Sequence, residues 1–284
     1  MRRPFRPVRR GPQGANMSET NLPVTSREYK LMLNTGRFKD RDQGSEAFFE
    51  LIEFLIRREG GRVIDSQGKE ESRRTSYLDT ADHALRQKGF ALRLREEAKG
   101  GFKINLKYRT SDHHISAAQD VSSPLSGDTK FEEDILPPFT SKFSLSTSIG
   151  TETPPDLSSI GKVAAFFPGV ARLGIDQNAP VKTVNDFIAE EVVRRLCKFQ
   201  FNRPPTIKAC LSFWYLTMRG DDPPLVAEFS FNYDILSRPD RGRPDPSATH
   251  SVECANRFFR ALQSQPGWVN LDLTTKTTFA LEVL

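Results

Sequence analysis

The stretch SYLDTADHALRQKGFALRLREEAKGGFKINLKYR, residues 76–109, places cations at alternate positions of two short apolar segments. Arg93 and Arg95 alternate with leucines in the first segment. Lys103, Lys107 and Arg109 follow the same spacing in the second. Because successive side chains of a β-strand point to opposite faces, this pattern predicts two strands that each carry several cations on one face. The intervening AKGG is typical of a hairpin turn, so the two strands are expected to be adjacent.

The composition is that of a folded globular protein on the polar side. The 284 residues are 37% hydrophobic and 27% charged, which allows one large domain with a proper core. No apolar run approaches the roughly 20 residues that cross a bilayer, and the basic start lacks the apolar centre of a signal peptide. We therefore expect a cytoplasmic protein without a membrane partner.

The net charge of +5 is concentrated at the start of the chain, where MRRPFRPVRR holds five arginines. Residues 1–22 are predicted to form a disordered basic arm ahead of one folded domain over residues 23–284. A flexible cationic tail is the commoner explanation of such arginines, so the charge does not favour a nucleic-acid partner. Cys197, Cys210 and Cys254 are widely spaced, which indicates reduced structural thiols.

Strand patterns outnumber helical patterns along the chain. Apolar residues at helical spacing predict helices over residues 44–61 and 251–267, whereas alternating patterns recur in most other segments. Residues 137–159 are rich in Ser, Thr and Pro without hydrophobic periodicity, which indicates an exposed insertion. Many strands with a few helices outside the run favour an α+β fold with a barrel or a strongly curved sheet.

A closed barrel explains why several cations share a face. If polar residues point inward and apolar residues outward, the interior is a wet, charged tunnel instead of a core. Arg and Lys pair with polyphosphate oxygens, and spaced carboxylates hold a hard divalent cation. The polar strand faces would supply Ser26, Glu28, Lys30, Arg93, Arg95, Lys103, Asn105, Lys107, Arg109, Lys130, Glu132, Asp134, Glu228 and Ser230.

The order of these motifs resembles the CYTH, or triphosphate tunnel metalloenzyme, superfamily over residues 26–284. The family's Glu-x-Glu-x-Lys start is met by SREYK, in which Glu28 and Lys30 are present and Ser replaces the first Glu. Its YFDT segment reads YLDT, its Leu-Arg-x-Arg strand reads LRLR, and its Arg-x-Glu-x-Glu strand reads KFEED. The late Glu-x-Glu strand reads EFS, so Glu228 is present and Ser230 stands in place of the second Glu. The family's terminal Lys-Thr pair, which precedes an apolar run, is met by Lys276 and Thr277.

The resemblance implies an antiparallel eight-stranded β-barrel, or tunnel, with helices packed on the outside. It also implies a small-molecule triphosphate or polyphosphate ligand and Mg²⁺ or Mn²⁺ as cofactor. The implied metal ligands are Glu28, Glu132, Asp134 and Glu228. The implied catalytic residues are Glu28, Lys30 and Lys107. The implied substrate-binding residues are Lys30, Arg93, Arg95, Lys103, Lys107, Lys130 and Lys198.

Three functions follow from the resemblance. The first is metal-dependent hydrolysis of a triphosphate, with inorganic triphosphate the favoured substrate. The second is a module that binds polyphosphate or a nucleotide without cleaving it, and the third is an adenylate cyclase. The two Ser replacements weaken a two-metal site, which leaves open a single-metal enzyme and a protein that only binds. The sequence carries no signal for the organic part of the substrate or for the oligomeric state.

Simpler explanations compete for several of these residues. Alternating cations on an exposed sheet face form a solvated surface in many proteins. Glu28 and Lys30 alone would be read as a surface ion pair worth under about 1 kcal/mol. His113 and His114 lack the ligand spacing of a zinc site. Asp79 is expected to cap or turn the chain instead of binding metal.

Overall fold

The structure, a computed structural model, describes residues 22–66, 68–201, 203–216, 223–235, 249–272 and 275–283. The predicted basic arm lies outside these residues except for Leu22. The strands are β1 Ser26–Met32, β2 Arg62–Asp65, β3 Lys69–Thr80, β4 Phe90–Glu97, β5 Phe102–Thr110, β6 Gly127–Leu136, β7 Thr140–Thr151, β8 Val181–Phe201, β9 Arg203–Tyr215 and β10 Val226–Asp234. The helices are α1 Arg41–Arg58, α2 Ala84–Gln87, α3 His113–Ala117, α4 Ile160–Phe166, α5 Thr249–Gln263 and α6 Lys276–Thr278. Short 3₁₀ turns cover Thr35–Phe38 and Pro168–Arg172, and a π-helical turn covers Phe279–Val283.

Nine of these strands close into a barrel. The order around the ring is β8-β3-β4-β5-β7-β6-β1-β10-β9, and β9 pairs back with β8. β2 is a tenth strand that pairs with the far end of β8, where Arg62 faces Gln200. The ring is antiparallel except between β1 and β6, which run parallel. The predicted α+β barrel with outer helices is confirmed, whereas the strand number of eight and the strictly antiparallel sheet are wrong.

The segment predicted to be an exposed insertion contains a barrel strand. β7 lies between β5 and β6, and its Leu145 and Ile149 are buried on the outer face. The strand alternates apolar residues with serines because its inner face looks into a polar bore, and a run of Ser and Thr hides that alternation. Since β7 pairs with β5, β6 is left to pair with β1, which produces the parallel contact.

Two long helices cover one side of the barrel, as their apolar spacing predicts. α1 buries Phe48 and Ile52, and α5 buries Phe258 and Phe259. These side chains pack on outward-facing aromatic residues of the sheet, with ring centroids of Phe231 and Phe258 5.3 Å apart. The hydrophobic core of this protein therefore lies between the barrel wall and the helices, which leaves the inside of the barrel free for polar groups.

The inner face changes from polar to apolar at one end of the barrel. Tyr77 and Trp214 belong to the inner faces of β3 and β9, and their ring centroids are 6.4 Å apart. Phe279 and Ala280 of the C-terminal turn pack against this group together with Phe187. The chain end thus covers the apolar end of the bore. Among the described residues, none of the helices combines the length and apolar character that a membrane span requires.

Candidate active site: a cation-rich bore

The barrel encloses a cavity of about 350 Å³, within the usual range of small-molecule sites. Nine cations and four carboxylates line it. The cations are Lys30, Arg73, Arg93, Arg95, Lys103, Lys107, Arg109, Lys130 and Lys276. The carboxylates are Glu28, Asp128, Glu132 and Glu228. All five alternating cations of the 76–109 stretch therefore line the same bore, and the solvated-face interpretation does not hold for the four that are partly buried, Arg93, Arg95, Lys107 and Arg109.

Two of the predicted cations lie at the mouth of the bore. Lys130 is half exposed and its Nζ is 3.4 Å from Asp128 Oδ2. Lys103 is exposed, and it also borders a shallower depression near the β4–β5 hairpin with Glu97 and Glu152. These two lysines extend the positive lining from the interior to the opening.

Two other predicted site residues do not line the bore. Lys198 lies near the end of β8, and its Nζ is 3.1 Å from Asp65 Oδ2 of β2. A register shift between Arg195 and Cys197 interrupts the strand pattern before this point, so simple alternation fails there. Asp134 is fully buried behind the lining, where it binds neighbouring side chains of the protein.

A first ion cluster surrounds Lys30. Its Nζ lies 2.8 Å from Glu28 Oε2 and 2.8 Å from Asp134 Oδ1. Arg109 and Ser144 donate to the other oxygen of Asp134, at 2.5 and 3.2 Å. Burial alone would lower the pKa of Lys30, but the two carboxylates outweigh it and raise that pKa. Lys30 and Arg109 likewise hold the pKa of Asp134 well below its usual range despite burial, so the cluster is fully ionised.

A second cluster surrounds Glu191, a residue that the sequence analysis missed. Its Oε2 accepts hydrogen bonds from Arg73 Nε at 2.6 Å and Thr75 Oγ1 at 2.9 Å. Its Oε1 accepts from Ser212 Oγ at 2.8 Å and Lys276 Nζ at 3.0 Å. Although burial opposes it, these cations hold the pKa of Glu191 well below the usual value. The sequence does not indicate which of the adjacent residues Glu190 and Glu191 points into the barrel. The register between β8 and its neighbouring strands determines that it is Glu191.

Lys276 was matched to a family motif but given no role in the site. The C-terminal segment brings its Nζ into the bore, 3.1 Å from Glu228 Oε1 and 5.8 Å from the centroid of the Trp214 ring. Burial would lower the pKa of Lys276, but Glu191 and Glu228 raise it. Lys276, eight positions before the last residue of the sequence, thus completes the polar wall where the apolar end of the bore begins.

The remaining inner cations lack full compensation. The Nε atoms of Arg93 and Arg95 are buried without a hydrogen-bond partner in the described part of the chain. Burial and the neighbouring Arg93 lower the pKa of Arg95 to about 9. Burial, with Lys30 and Arg109, lowers the pKa of Lys107 to about 8. Such crowding of like charges destabilises the free protein, and an anion placed among these groups would relieve it.

The carboxylates do not fit the metal site that the resemblance implies. In the register of β1 and β10, Glu28 faces Asn232 and Glu228 faces Met32. The backbones of Glu28 and Glu228 are therefore offset by four residues along the strands, or about 13 Å. Ser26 and Ser230 stand at the positions where the family pattern has its other two glutamates.

No alternative set of ligands replaces them. Among the described residues, no group of three or more His, Cys, Asp or Glu side chains is arranged to hold a metal ion. Asp134 lies behind the lining, and Lys107 Nζ lies 3.8 Å from Glu132 Oε2. Of the predicted ligands Glu28, Glu132, Asp134 and Glu228, only Glu28 and Asp134 are thus seen to share a partner, which is the ammonium group of Lys30.

Other residues singled out in the sequence have structural roles. Asp79 accepts hydrogen bonds from the backbone N–H groups of Leu85 and Arg86 at 2.9 and 3.0 Å, so it caps α2 as predicted. His113 packs against the rings of Phe131 and Phe143. The three cysteines form no disulfide bond.

Comparisons with known proteins find similarity in structure only. The chain matches no protein-family model, and no curated protein is similar to it in sequence. A protein from Hippeastrum, described as an adenylyl cyclase candidate with a dominant triphosphatase activity, has a TM-score of 0.44 and 12% identity over 90% of this chain and 95% of that chain.

Two bacterial proteins described as adenylate cyclase candidates are also similar. The one from Bacillus halodurans has a TM-score of 0.40 and 14% identity over 83% of this chain and 90% of that chain. The one from Vibrio parahaemolyticus has a TM-score of 0.33 and 11% identity over 87% of this chain and 90% of that chain. At these values the function has to be argued from the bore itself. The closed barrel with its charged bore agrees with the barrel and the charged tunnel that the alternating strand patterns predict.

Proposed function

We propose that the bore binds the phosphate chain of a triphosphate-containing small molecule and that the protein hydrolyses it. Inorganic triphosphate is the favoured substrate. The observation that carries this proposal is the excess of cations on one cavity: nine line it, against four carboxylates on the lining and two, Asp134 and Glu191, that contact these cations from behind it. Several closely spaced phosphate groups are the ligand that such a lining fits, because each phosphate oxygen accepts charge-assisted hydrogen bonds from Arg and Lys.

The distribution of the cations supports a chain of phosphates in preference to a single one. Lys103 and Lys130 lie at the mouth, Arg93 and Arg95 lie on the wall, and Lys276 lies at the inner end. The unpartnered Nε groups of the two arginines show that these guanidinium groups are not saturated by the protein. A linear polyanion entering from the mouth would meet cations along its whole length.

Hydrolysis requires charge stabilisation and an in-line water more than covalent chemistry. Arg93, Arg95 and Lys107 are placed to stabilise charge on the transferred phosphoryl group. Glu132 is the acceptor that would orient the attacking water, since its Oε2 lies 3.8 Å from Lys107 Nζ and its Oε1 accepts from Ser26 Oγ at 3.2 Å. Water adds to the terminal phosphorus, the phosphoanhydride bond breaks, and the products are phosphate and the shortened chain.

Binding without cleavage is the second candidate. It is favoured by Ser26 and Ser230, which remove two carboxylates that the family pattern places on the first and last strands of the site. A protein of this kind would hold polyphosphate or a nucleotide in the same bore and release no phosphate.

The deciding experiment is a substrate panel read by phosphate release and by cyclic AMP formation. Triphosphate, ATP, thiamine triphosphate and long polyphosphate are offered in EDTA, in Mg²⁺ and in Mn²⁺. We expect phosphate release from triphosphate, reduced by about 100-fold or more in Lys107→Met and in Glu132→Gln. Lys162→Met, a change at an exposed ion pair with Asp156, is the matched control. Near wild-type rates in both variants would refute the assignment of these residues. Formation of cyclic AMP from ATP would identify the protein as a cyclase and refute the proposed hydrolysis.

A further inference from the structure

Two lysines of the bore lie where divalent cations would be expected between carboxylates. Lys30 Nζ bridges Glu28 and Asp134 at 2.8 Å each. Lys276 Nζ bridges Glu191 and Glu228 at 3.0 and 3.1 Å. Each ammonium group therefore contacts two carboxylates, and a hard metal ion takes the same kind of oxygen ligands in other proteins.

The carboxylates of both clusters are already neutralised by Lys and Arg side chains. In the first, Lys30 and Arg109 balance Glu28 and Asp134. In the second, Lys276 and Arg73 balance the two glutamates, and Arg95 is a further cation 3.6 Å from Glu191. A divalent cation added to either cluster would leave at least two uncompensated positive charges in a buried place, unless a lysine were displaced.

The ammonium group of Lys276 is also saturated as a hydrogen-bond donor. It donates to Glu191 at 3.0 Å and to Ser212 Oγ at 2.8 Å, and it lies within ion-pair distance of Glu228. Three partners match its three N–H groups, so this lysine is fixed in the wall of the bore. Arg93 and Lys107, which lie outside these two clusters, and Arg95, the excess cation of the second, are then left to bind an anion.

We propose that the bore binds the phosphate chain directly as a free anion, through its own Lys and Arg side chains, with no divalent metal ion in the complex. This inference rests on the proposed function for the class of ligand and is independent of whether the ligand is cleaved. In this proposal, Lys30 and Lys276 neutralise the carboxylates that would bind the metal ion in a metal site. Mg²⁺ in solution is then a competitor, because it neutralises part of the charge of triphosphate before that charge reaches the bore.

The test is a calorimetric titration of the full chain with inorganic triphosphate, in excess EDTA and in excess Mg²⁺. We expect binding in EDTA with a Kd below, or within about tenfold of, the Kd in Mg²⁺. A Kd more than about tenfold higher in EDTA, or binding that appears only with Mg²⁺, overturns the inference. Absence of binding in both solutions overturns it together with the proposed function.

A substitution tests the part assigned to Lys276. In Lys276→Met, Glu191 and Glu228 lose their shared cation, so triphosphate binding in EDTA is expected to weaken by about tenfold or more. The same variant is expected to retain Mn²⁺ in an electron paramagnetic resonance titration in which wild type and the control Lys162→Met retain none. Equal Mn²⁺ retention by wild type and variant contradicts the inference, and if the variant does not fold, the wild-type calorimetry decides.

The two proposals fail in different ways. If triphosphate binds tightly in EDTA but no phosphate is released with any metal ion, the proposed hydrolysis is refuted and metal-free binding is supported. If both phosphate release and triphosphate binding require Mg²⁺, the proposed hydrolysis is supported and metal-free binding is refuted.

Discussion

Glu191 shows what a single buried carboxylate does in this barrel. It accepts hydrogen bonds from Arg73, Thr75, Ser212 and Lys276, which belong to two other strands and to the C-terminal segment. Its side chain is completely buried. Because a buried charge without partners is strongly unfavourable, the carboxylate and its cations are stable only together. The residue therefore fixes the positions of two site cations at once.

The variant Glu191→Gln keeps the shape of the side chain and removes the charge. Arg73 then lacks its buried counter-charge and Lys276 keeps only Glu228, so we expect the free energy of unfolding to fall by about 3–5 kcal/mol. Urea denaturation followed by circular dichroism measures the change. Asp156→Asn, which breaks the exposed pair with Lys162, is the control and should leave the midpoint unchanged. A wild-type midpoint for Glu191→Gln would show that the cluster does not contribute as described.

Lys107 makes triphosphate binding depend on pH. Its pKa is lowered to about 8, so the side chain is a cation below that pH and a neutral amine above it. The attraction for an anion is therefore present at lower pH and is lost as the pH rises through about 8. We therefore expect the ratio of the triphosphate affinity of wild type to that of Lys107→Met to fall between pH 6 and pH 9. Protonation of the ligand affects both proteins equally and cancels in this ratio. A ratio that stays constant from pH 6 to pH 9 would contradict the lowered pKa.

At the scale of elements, the connection between two barrel strands depends on a helix cap formed by residues that are close in sequence. α2 has only four residues, and its first position follows His83, which adopts a left-handed backbone conformation and gives no side-chain cap. Asp79 supplies the cap from the end of β3, with further hydrogen bonds from the backbone N–H of Thr80. The β3–α2–β4 connection, which places Arg93 and Arg95, is therefore organised by a carboxylate outside the bore.

Asp79→Ala removes these acceptors and leaves buried N–H groups unpaired. We expect a loss of about 2 kcal/mol in the free energy of unfolding, at the upper end of values for helix caps. Asp79→Asn keeps one acceptor oxygen and should lose less. Equilibrium unfolding of the three proteins measures both differences. Equal stability of the Ala variant and wild type would exclude the capping role.

At the scale of the whole molecule, the barrel separates an apolar exterior from a charged interior. The helices α1, α4 and α5 cover the outer wall, and the C-terminal turn covers one end of the bore. Cations that would repel one another on an open sheet are held together by this closed scaffold. A polyanion that binds among these cations reduces their mutual repulsion, and this reduction favours binding.

Electrostatic binding of this kind predicts a strong dependence on salt and on ligand charge. Charges interact over about 10 Å at 0.1 M ionic strength and over less at higher salt. We expect affinity to rise from phosphate to diphosphate to triphosphate, and to fall as KCl is added. Calorimetric titrations at several KCl concentrations measure both trends. An affinity that depends neither on salt nor on chain length would point to a different ligand.

The local patterns of the sequence predicted most of the elements and ten of the thirteen charged residues that line the bore. Alternation in residues 92–95 and 103–109 placed Arg93, Arg95 and Lys107 on one face, and helical spacing identified α1 and α5, because these signals depend only on neighbours along the chain. β7 was missed since its inner residues are serines, which do not contrast with its polar surroundings.

The tertiary structure decided which charges face one another. Register and strand order bring Glu191, Lys276 and Glu228 together from three distant segments, place Asp134 behind the lining, and exclude Lys198 from the bore. Alternation tells which face a side chain occupies, but the partner across the barrel is set by closure of the sheet and by its bulges. For that reason the sequence predicted a charged tunnel, and only the fold showed that its carboxylates are already bound by lysines.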